Sequence, residues 1–546
     1  MPDQPLPAPS RPAPPLPAPP RSDEPLPDAT PPEEATLRLV TTGRLTAAHL
    51  PADSVWLGLD LGTQSARCVA VDATGEVLAA ASRPLTSHRE GTHHEQDPEL
   101  WWSALAAACR EALADIDPRR VRGLAIDATS GTVLLADADG APLTPGLMYD
   151  DGRAAAQAER VNAVGGQVWE ELGYRSMQPS WALPKLLWLV EHPTPALSRA
   201  GEGLRLLHQP DLITWRLAGH QVPADASHAL KTGYHLVEER WPDGELDELG
   251  VAAGLLPDVV RPGTVLGAVC AAAAEATGIP EGTAIVAGMT DGCAAQIGAG
   301  ALTTGAWNSV LGTTLVFKGT SPHLVRDPDG VVYCHRGPGD TWLPGGASSS
   351  GAGVISREFP GADLDDLTRR AAAAPTTAVA YPLVSTGGER FPFRAPGAEP
   401  FVLGEPADEA ERFHAHLLGV ACVERLCFDY LDLLGAPVDG PLTLTGGGAK
   451  NPYWNRLRAD VLGRPVHVPA QAEGAVGMAV LAATSSGIGV QEAAAQLVRA
   501  GERIEPDPAR TAHWTPVYLG LLDELVRRGW LRQAVADHAR ERSTQR

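Results

Sequence analysis

A Leu-Gly-Thr turn occurs twice in the chain, each time between two apolar segments. The first lies in GLDLGTQSARCVAV, which begins at Gly58, and the second in NSVLGTTLVFKG, which begins at Asn308. Apolar and β-branched residues on both sides of a short polar turn predict a strand, a tight turn and a second strand. Two such units with the same turn predict two related domains that face each other.

Strands and helices alternate around both units. Residues 55–85 are typical of a three-stranded meander, and a helix is expected from Asp97. The segments GTAIVAGMTDGCAAQIGAG and PLTLTGGGAKNPYWNRLRADVLGRPVHVP each indicate a strand, a turn and a helix. This alternation predicts an α/β fold with mixed sheets. A last helix is expected over about Pro516 to His538, with apolar side chains at core-facing spacing.

Composition limits the kinds of partner that the protein is expected to bind. The 44 basic and 66 acidic side chains leave a net charge of -22, and an acidic surface repels phosphate backbones, which argues against nucleic acid and anionic membranes as main partners. The longest uncharged stretch, Gly292 to Phe317, is too rich in Gly, Thr, Asn and Gln for a membrane-spanning helix. Seven cysteines without CxxC or Cys/His metal-ligand spacing fit reduced, structural thiols in a cytoplasmic protein.

The N-terminal segment differs in composition from the rest of the chain. Fourteen of the 49 prolines precede residue 33, and the tract has too few large apolar residues to build a core. We therefore expect residues 1–53 to be a disordered extension. A ligand for a proline-reading domain is the alternative to a tail without a function.

Two turns have the residue types that hold phosphates. Glycine lets the backbone approach an anion, hydroxyl and turn N–H groups donate to phosphate oxygens, and a carboxylate at a strand end can hold a hydrated magnesium ion. Such turns at strand ends are where α/β sheets place ligands. The residues are Asp60, Gly62, Thr63 and Gln64 in the first turn and Gly312, Thr313 and Thr314 in the second.

Two further turns complete the candidate site. The run Thr445 to Asn451 has three glycines, which would let a flat ligand lie on the backbone, and Asp291 stands between an apolar strand and a helix. Each feature alone has a structural alternative, since glycine-rich turns are usually only turns and an aspartate before a helix is commonly an N-cap. Together they predict phosphoryl transfer, which needs positioning, magnesium and charge neutralisation. The sequence has no GxxxxGK[ST] motif.

The order of motifs resembles the FGGY carbohydrate kinases. The motifs are GLDLGT, HHEQDPELWW, TDGCAAQIGAG, LGTT, GGAS and TGGGAKNPYWNRLRADVLGRPV, and the family helix pattern SxxxxKLxWLxEH is matched from Ser180 to His192. Ala182 stands where that pattern usually has Pro, Ser or Thr. The resemblance implies an actin, hexokinase and Hsp70-like ATPase fold of two related domains with a central cleft. It places the sugar-binding domain at 54–290, the nucleotide-binding domain at 291–505 and a helical segment at 506–546.

The resemblance also implies a role for each turn. Asp291 would be the general base for the sugar hydroxyl, and Asp60 would interact with Mg²⁺ and with the sugar. ATP phosphates would be held by the two Leu-Gly-Thr turns, and adenosine by the glycine-rich turn. The cofactor-binding residues would be Gly62, Thr63, Gln64, Gly312, Thr313, Thr314, Gly447, Gly448 and Asn451. The partners are then a small sugar and ATP, and a homodimer is left open.

The choice of sugar depends on the polar turn that follows the strand in VRGLAIDATSG. Xylulose kinases carry Gln-Met-His-Gly there, whereas this chain has Ser130-Gly131-Thr132-Val133. The motifs ATSGTVL, LMYDDGRA and VVYCHRGP resemble the xylulose-kinase-like branch of plants and cyanobacteria that phosphorylates D-ribulose. This resemblance implies sugar contacts from Thr129, Ser130, Asp151, Asp60 and Asp291. We therefore expect a D-ribulose kinase, with D-xylulose as the alternative sugar and a non-catalytic, nucleotide-gated regulatory protein as the alternative function.

Overall fold

The structure is a computed structural model that describes residues 50–373 and 375–545. Most of the extension predicted at residues 1–53 therefore lies outside the described residues. In the first half of the chain the strands are β1 (Val55–Leu61), β2 (Ser65–Asp72), β3 (Val77–Pro84), β4 (His88–Glu90), β5 (His93–Gln96), β6 (Val121–Ala128), β7 (Val133–Ala136), β8 (Gly146–Leu147), β9 (Arg205–His208), β10 (Ala224–Asp225), β11 (Val259–Val260), β12 (Val265–Ala268) and β13 (Ala284–Thr290). The helices are α1 (Pro98–Ala112), α2 (Ala155–Glu171), α3 (Ala182–Glu191), α4 (Pro195–Ala200), α5 (Gln209–Ala218), α6 (Ala226–Ala229), α7 (Asp243–Glu248), α8 (Ala271–Thr277) and α9 (Asp291–Gly298).

The second half continues the alternation of strands and helices. Its strands are β14 (Trp307–Leu311), β15 (Leu315–Gly319), β16 (Tyr333–Arg336), β17 (Trp342–Ala347), β18 (Val379–Tyr381), β19 (Phe401–Leu403), β20 (Leu442–Thr445), β21 (Val466–Val468) and β22 (Glu502–Ile504). Its helices are α10 (Gly353–Glu358), α11 (Leu364–Ala373), α12 (Glu409–Leu433), α13 (Pro452–Leu462), α14 (Gly474–Ala482), α15 (Val490–Leu497), α16 (Pro508–Arg527) and α17 (Gln533–Gln545). Short 3-10 turns occur at Pro118–Arg120, Gly201–Gly203, Leu230–Thr232, Ala253–Leu255, Gly447–Lys450 and Ala483–Ser486.

The first large sheet has the strand order β3-β2-β1-β6-β13-β12. Strand β1 pairs antiparallel with β2 and parallel with β6, and β6 pairs parallel with β13. The sequence VWLGLDL of β1 is almost wholly buried, because a central strand that other elements cover on both faces needs apolar residues at every position. The predicted three-stranded meander is therefore confirmed as β1, β2 and β3.

The second large sheet repeats this arrangement in the order β16-β17-β15-β14-β20-β21-β22. Strand β14 pairs antiparallel with β15 and parallel with β20, as β1 does with β2 and β6. The parallel strand β21 and the antiparallel edge strand β22 follow on the same side, like β13 and β12. The relation between the two halves that the repeated turn predicts is thus confirmed at the level of strand order and direction.

Smaller sheets flank these two. A five-stranded sheet of order β4-β5-β8-β7-β9 extends the first half, and two-stranded sheets are formed by β10 with β11 and by β18 with β19. Strands β6 and β7, although adjacent in the chain, belong to different sheets, so the turn between them at Thr129 to Thr132 passes from one sheet to the other.

Helix α14 comes from the second half of the chain and packs on the first sheet. A Cβ atom at Gly58 of β1 would lie 1.6 Å from the backbone oxygen of Ala475, and one at Gly477 would lie 2.0 Å from the oxygen of Ala294 in α9. Glycine at both positions therefore lets α14 touch the backbones of β1 and α9 directly. This contact fixes the position of α14 relative to β1 and α9.

The C-terminal segment differs from the prediction. The single helix expected over about Pro516 to His538 is wrong, because Gly529 adopts φ 72° after Arg527 and separates α16 from α17. Pro516 lies inside α16 rather than at its start. Among the described residues, no helix combines the length and the apolar character that crossing a bilayer requires. All seven cysteines are free and six of them are buried.

The contact of α14 with β1 predicts that Gly58→Ala is strongly destabilising. The added methyl group would overlap a backbone oxygen that cannot rotate away, and overpacking of this kind costs about 3 kcal/mol or more. Gly244→Ala is the matched control, since nothing lies within 4 Å of its Cβ position in α7. Thermal unfolding followed by circular dichroism should show a lower Tm for the first variant and an unchanged or higher Tm for the second. Equal Tm values would contradict this packing.

Candidate functional site

The two Leu-Gly-Thr turns have similar but unequal geometry. In the first, Gly62 N–H donates to the Ser65 oxygen at 3.1 Å, and in the second, Gly312 N–H donates to the Thr314 oxygen at 3.1 Å. The register of β1 with β2 leaves four residues between Leu61 and Ala66, one more than β14 and β15 leave between their paired ends. Thr63 is half-buried, and Gln64 and Thr313 are exposed at the two tips. Both tips can thus offer N–H and hydroxyl donors to an anion.

A buried carboxylate supports the second turn from behind. Glu389 accepts hydrogen bonds from Ser348 Oγ at 3.1 Å, from Ser350 Oγ at 2.9 Å and from Tyr381 Oη at 2.8 Å. The loop that it holds continues to Gly353, whose N–H donates to the Thr313 oxygen at 2.9 Å. Burial raises the pKa of Glu389, and the donated hydrogen bonds oppose this rise. The second turn is therefore supported from below by a loop that the hydrogen bonds of Glu389 hold in place.

The glycine-rich turn lies directly against the second Leu-Gly-Thr turn. Gly446 has φ 84°, and a Cβ atom there would lie 2.6 Å from the Leu311 oxygen. A Cβ at Gly448 would lie 2.4 Å from the Leu311 side chain, whereas nothing lies within 4 Å of a Cβ at Gly447. Asn451 caps α13 by accepting from Trp454 N–H at 3.1 Å. The structure thus brings the predicted nucleotide and phosphate turns together, with Gly447 on the open side.

Three aspartates lie at the ends of adjacent strands of the first sheet. Asp60 of β1 is in register with Asp127 of β6, and β13 on the far side of β6 leads into Asp291. Asp60 is about one-fifth exposed and lies 4.0 Å from Arg67, Asp127 is wholly buried, and Asp291 is exposed. Neither oxygen of Asp127 accepts a hydrogen bond from an N–H or O–H group of the described residues.

Burial and mutual repulsion act on this group of aspartates. The pKa of Asp127 is well above its usual range, first because of burial and then because of the negative charges of Asp60 and Asp291. Burial also raises the pKa of Asp60, against the hydrogen bond with Asp127 and the charge of Arg67. A cation or a proton at this place would relieve the repulsion.

Asp291 is the first residue of α9 rather than its cap. Thr290 occupies the N-cap position, and the carboxylate of Asp291 accepts a hydrogen bond from Gly292 N–H at 2.7 Å. This bond leaves the second carboxylate oxygen of Asp291 open to solvent. The capping alternative for Asp291 is therefore wrong, and the side chain is free to serve as a base.

The residues present fit a magnesium ion. Carboxylate oxygens are the ligands that Mg²⁺ prefers, and this ion usually keeps several waters and binds one or two carboxylates together with substrate phosphates. Asp60 supplies such a carboxylate beside the first turn. Among residues 50–373 and 375–545, no three acidic, His or Cys side chains form a cage that could hold a metal alone. The ion would therefore depend on Asp60, water and the phosphates.

Residues 55–298 match the N-terminal domain of the FGGY family of carbohydrate kinases, and residues 307–486 match its C-terminal domain. The chain belongs to the FGGY family of carbohydrate kinases. It is 32% identical over 429 residues to a protein named xylulose kinase from Streptomyces coelicolor, covering 76% of this chain and 85% of that one. It is 27% identical over 516 residues to a human protein named FGGY carbohydrate kinase domain-containing protein, with 83% and 92% covered.

The fold comparison agrees with this membership. A solved structure described as a xyloylose kinase from Brucella ovis superposes with a TM-score of 0.77 and 24% identity, covering 85% of this chain and 97% of that one. The predicted actin- and hexokinase-like fold of two domains is thereby confirmed, and the kinase is a phosphotransferase acting on carbohydrate. The exact domain boundaries and the individual site residues stay predictions.

The turn predicted to hold the sugar is built from small polar residues. Thr129 Oγ1 lies 2.5 Å from Thr132 Oγ1 and donates to Gln209 Oε1 at 2.7 Å, so its hydroxyl is used within the turn. Ser130 Oγ is buried without a hydrogen-bond partner among the described residues. Lys231 Nζ donates to the Ser130 oxygen at 3.0 Å. Thr129 and Ser130 are the two sugar contacts predicted in this turn, and Ser130 is the one with a free hydroxyl.

Asp151 lies away from solvent. It is wholly buried, and its oxygens accept from His94 N–H at 2.7 Å and from the Arg153 guanidinium at 2.7 Å. The Arg153 hydrogen bonds hold the pKa of Asp151 below its usual range, against the opposing effect of burial, which is the largest single influence. Asp150 is one-third exposed and pairs with Arg89 and His94. A substrate contact by Asp151 stays a prediction that these partners would have to permit.

Sequence reasoning missed three residues of this region. Asp127 ends the apolar run GLAI, and the strand-end rule that selected Asp60 and Asp291 would have selected it as well. Lys318 follows the second turn in β15, and its signal is that it is one of only four lysines. Glu389 lies in an irregular loop, and no local pattern marks it. Lys185 donates to the carbonyls of Leu147 and Met148, which is a structural role.

The environment of Asp127 predicts a pH-dependent gain of stability in Asp127→Asn. Because the folded-state pKa is raised, the wild-type carboxyl costs stability as pH rises above its unfolded pKa of about 4, and this cost is absent below that pH. The variant should therefore be more stable at pH 7.5 by about 1 to 3 kcal/mol. The gain should shrink toward zero near pH 4. Thermal unfolding across this range measures it, and a gain that grows on acidification would contradict the assignment.

The two adjacent glycines provide a matched pair for the nucleotide turn. In Gly448→Ala the methyl group collides with Leu311 and should displace the turn, so we expect at least about tenfold weaker ADP binding and a lower Tm. Gly447→Ala has free space around the methyl group, so the Tm should be unchanged. Calorimetric titration with ADP and thermal unfolding separate the two effects. If both variants bound ADP like the wild type, the turn would not be the nucleotide site.

Proposed function

We propose that the kinase transfers the γ-phosphoryl group of ATP to the terminal hydroxyl of a ketopentose, with D-ribulose as the first candidate and D-ribulose 5-phosphate as the product. The observation that carries this proposal is the position of Asp291. It is exposed at the start of α9, beside the Asp60 turn and at the end of the strand next to the one that leads to Ser130. A sugar that contacts Ser130 would thus lie near both a base and the phosphate turns.

The reaction assigns one role to each part of this site. The sugar hydroxyl oxygen attacks the γ-phosphorus while its proton moves to a carboxylate oxygen of Asp291. The bond between the γ-phosphorus and its bridging oxygen breaks, and ADP leaves with that electron pair. Bound Mg²⁺ would neutralise charge on the phosphate oxygens. Asp60 would hold this ion, and the N–H groups and hydroxyls of the two turns would orient the phosphates.

Two considerations bear on the identity of the sugar. The turn at Ser130 has small side chains where xylulose kinases have Met and His, and it resembles the D-ribulose branch of plants and cyanobacteria. The names of the relatives favour D-xylulose instead, which is therefore the second candidate. Both sugars are five-carbon ketoses that differ in the configuration of one hydroxyl. A cytoplasmic location and a homodimer stay predictions from the sequence.

A coupled assay of ADP release tests the substrate and the base together. The panel consists of D-ribulose, D-xylulose, ribitol and glycerol, and we expect the highest kcat/KM for D-ribulose. Asp291→Asn should lower kcat by about 100-fold to 10,000-fold, because only the proton acceptor is lost. The binding of ADP and the Tm should be retained. Asp139→Asn, at an exposed turn outside the cleft, is the matched control and should have wild-type activity.

Two results would contradict the proposal separately. A higher kcat/KM for D-xylulose would replace D-ribulose by the second candidate and leave the mechanism intact. A rate for Asp291→Asn within about threefold of the wild-type rate would remove Asp291 from the role of general base, whichever sugar is phosphorylated.

A further inference from the structure

Lys318 is a buried lysine without a charged partner. Its side chain is 5% exposed, and its Nζ atom donates no hydrogen bond to any acceptor among the described residues. In the part of the chain that the structure describes, no carboxylate lies within 4.0 Å of the Nζ atom of any lysine, although 66 acidic side chains are present in the whole sequence. An ammonium group that is buried without an anion or a hydrogen bond is costly, so such a position needs an explanation.

The surrounding strands leave room for this side chain. Lys318 lies opposite Gly345 of β17, and a Cβ atom at Gly345 would lie 2.6 Å from Lys318 Cδ. The alternation of β15 directs Phe317 into the core and places Lys318 on the same face as the half-buried Val316. A Cβ at Gly292 would lie 3.8 Å from Lys318 Cε. The end of the lysine side chain is thus next to the residue that directly follows Asp291.

Aromatic rings connect Lys318 with the predicted sugar turn. Its Nζ atom lies 4.6 Å from the centre of the Tyr333 ring, and that ring lies 6.0 Å from the ring of Trp181. Lys231 Nζ lies 5.8 Å from the Trp181 ring and donates to the Ser130 oxygen. Two ammonium groups and two rings therefore form a continuous series of contacts from Lys318 to the turn that carries the free Ser130 hydroxyl. Ring contacts compensate a buried cation only in part.

The neighbouring histidine shows that this region is positive. His335 of β16 is buried, and its Nδ1 atom lies 2.9 Å from Ser227 Oγ. The pKa of His335 is well below its usual range, first because of burial and then because of the charges of Lys318 and Lys231. The charges that lower the pKa of His335 are thus all positive, those of Lys318, Lys231 and His228. An oxygen-rich ligand would supply the acceptors that the chain does not.

We propose that Lys318 is a specificity-determining residue for the acceptor sugar, and that its ammonium group donates hydrogen bonds to the C1 hydroxyl and C2 carbonyl oxygens at the end remote from the phosphorylated hydroxyl. This inference rests on the proposed ketopentose kinase. With its terminal hydroxyl at Asp291, an open five-carbon chain carries an oxygen on every carbon. The Lys318 side chain passes Gly292 at its Cε atom and ends over the Tyr333 ring, which leads toward the Ser130 turn, so its ammonium group would meet the end of the sugar on that side.

The near-isosteric variant Lys318→Met distinguishes a role in sugar binding from a role in stability. Because the ammonium lacks a partner in the free protein, its removal should leave the Tm unchanged or raise it. The KM for the sugar should rise about tenfold or more, while the KM for ATP and the Kd for ADP should stay within about twofold. Lys318→Arg keeps the charge and should recover part of the affinity. A structural role alone would instead lower the Tm and affect both substrates.

A comparison of two substrates tests the assigned contact directly. The wild-type kinase should prefer the pentulose to its 1-deoxy analogue by about tenfold or more in kcat/KM, and Lys318→Met should reduce this preference to about twofold or less. Equal preferences in the two proteins would overturn the proposal. Turnover of another sugar of the panel in place of the pentuloses would refute the proposed ketopentose activity. In that case an unchanged KM for that sugar in Lys318→Met would overturn the role of Lys318 as well, and a tenfold rise would retain it.

Discussion

The contact of α14 with β1 and α9 is the constraint on which the site depends. Because Gly58 and Gly477 have no side chains, the backbone of α14 lies against both elements, and no larger residue fits at either point. The same contact brings Gly474, the first residue of α14, to 3.2 Å from the Asp127 carboxylate, measured from its Cβ position. It also fixes the start of α9, where Asp291 lies. Strand pairing therefore sets Asp60 beside Asp127, and helix packing sets Asp291 relative to them.

Repulsion among Asp60, Asp127 and Asp291 lowers stability, and the same repulsion would favour the binding of a cation. A wholly buried Asp127 next to Asp60 repels negative charge, and the net charge of -22 adds to this effect at longer range. In the proposed mechanism the nucleotide would bring its own countercharge as Mg²⁺, since lysines are scarce and the turns offer only partial positive charges. If the proposed site is correct, ATP with its metal should bind better than ATP alone, because the metal would satisfy the carboxylates and the phosphates together.

Local patterns predicted the parts of the fold that depend on short segments. The strands around Gly62 and Gly312, the helix from Pro98 and the nucleotide turn all follow from turn chemistry and apolar runs. Contacts between distant segments were not predictable in this way. The hydrogen bonds of Glu389 join residues about forty positions apart, and the break at Gly529 between α16 and α17 replaces a helical pattern that is continuous in the sequence. Asp127 was accessible to the strand-end rule, whereas the burial of Lys318 depends on strand pairing.

The large sheets of the two halves have the same strand order but different residues at their strand ends. When the two Leu-Gly-Thr turns are aligned, Val310 is the residue equivalent to Asp60. Asp60 pairs with Asp127 and Val310 pairs with Thr445, so Thr445 is equivalent to Asp127. The second half thus has uncharged residues at the strand ends where the first half has carboxylates. In the proposed complex a phosphate chain between them would face acids and their metal on one side only, and N–H and hydroxyl donors on the other. If both halves kept the carboxylates, repulsion would act on the phosphates from two sides, and a single Mg²⁺ could not neutralise it.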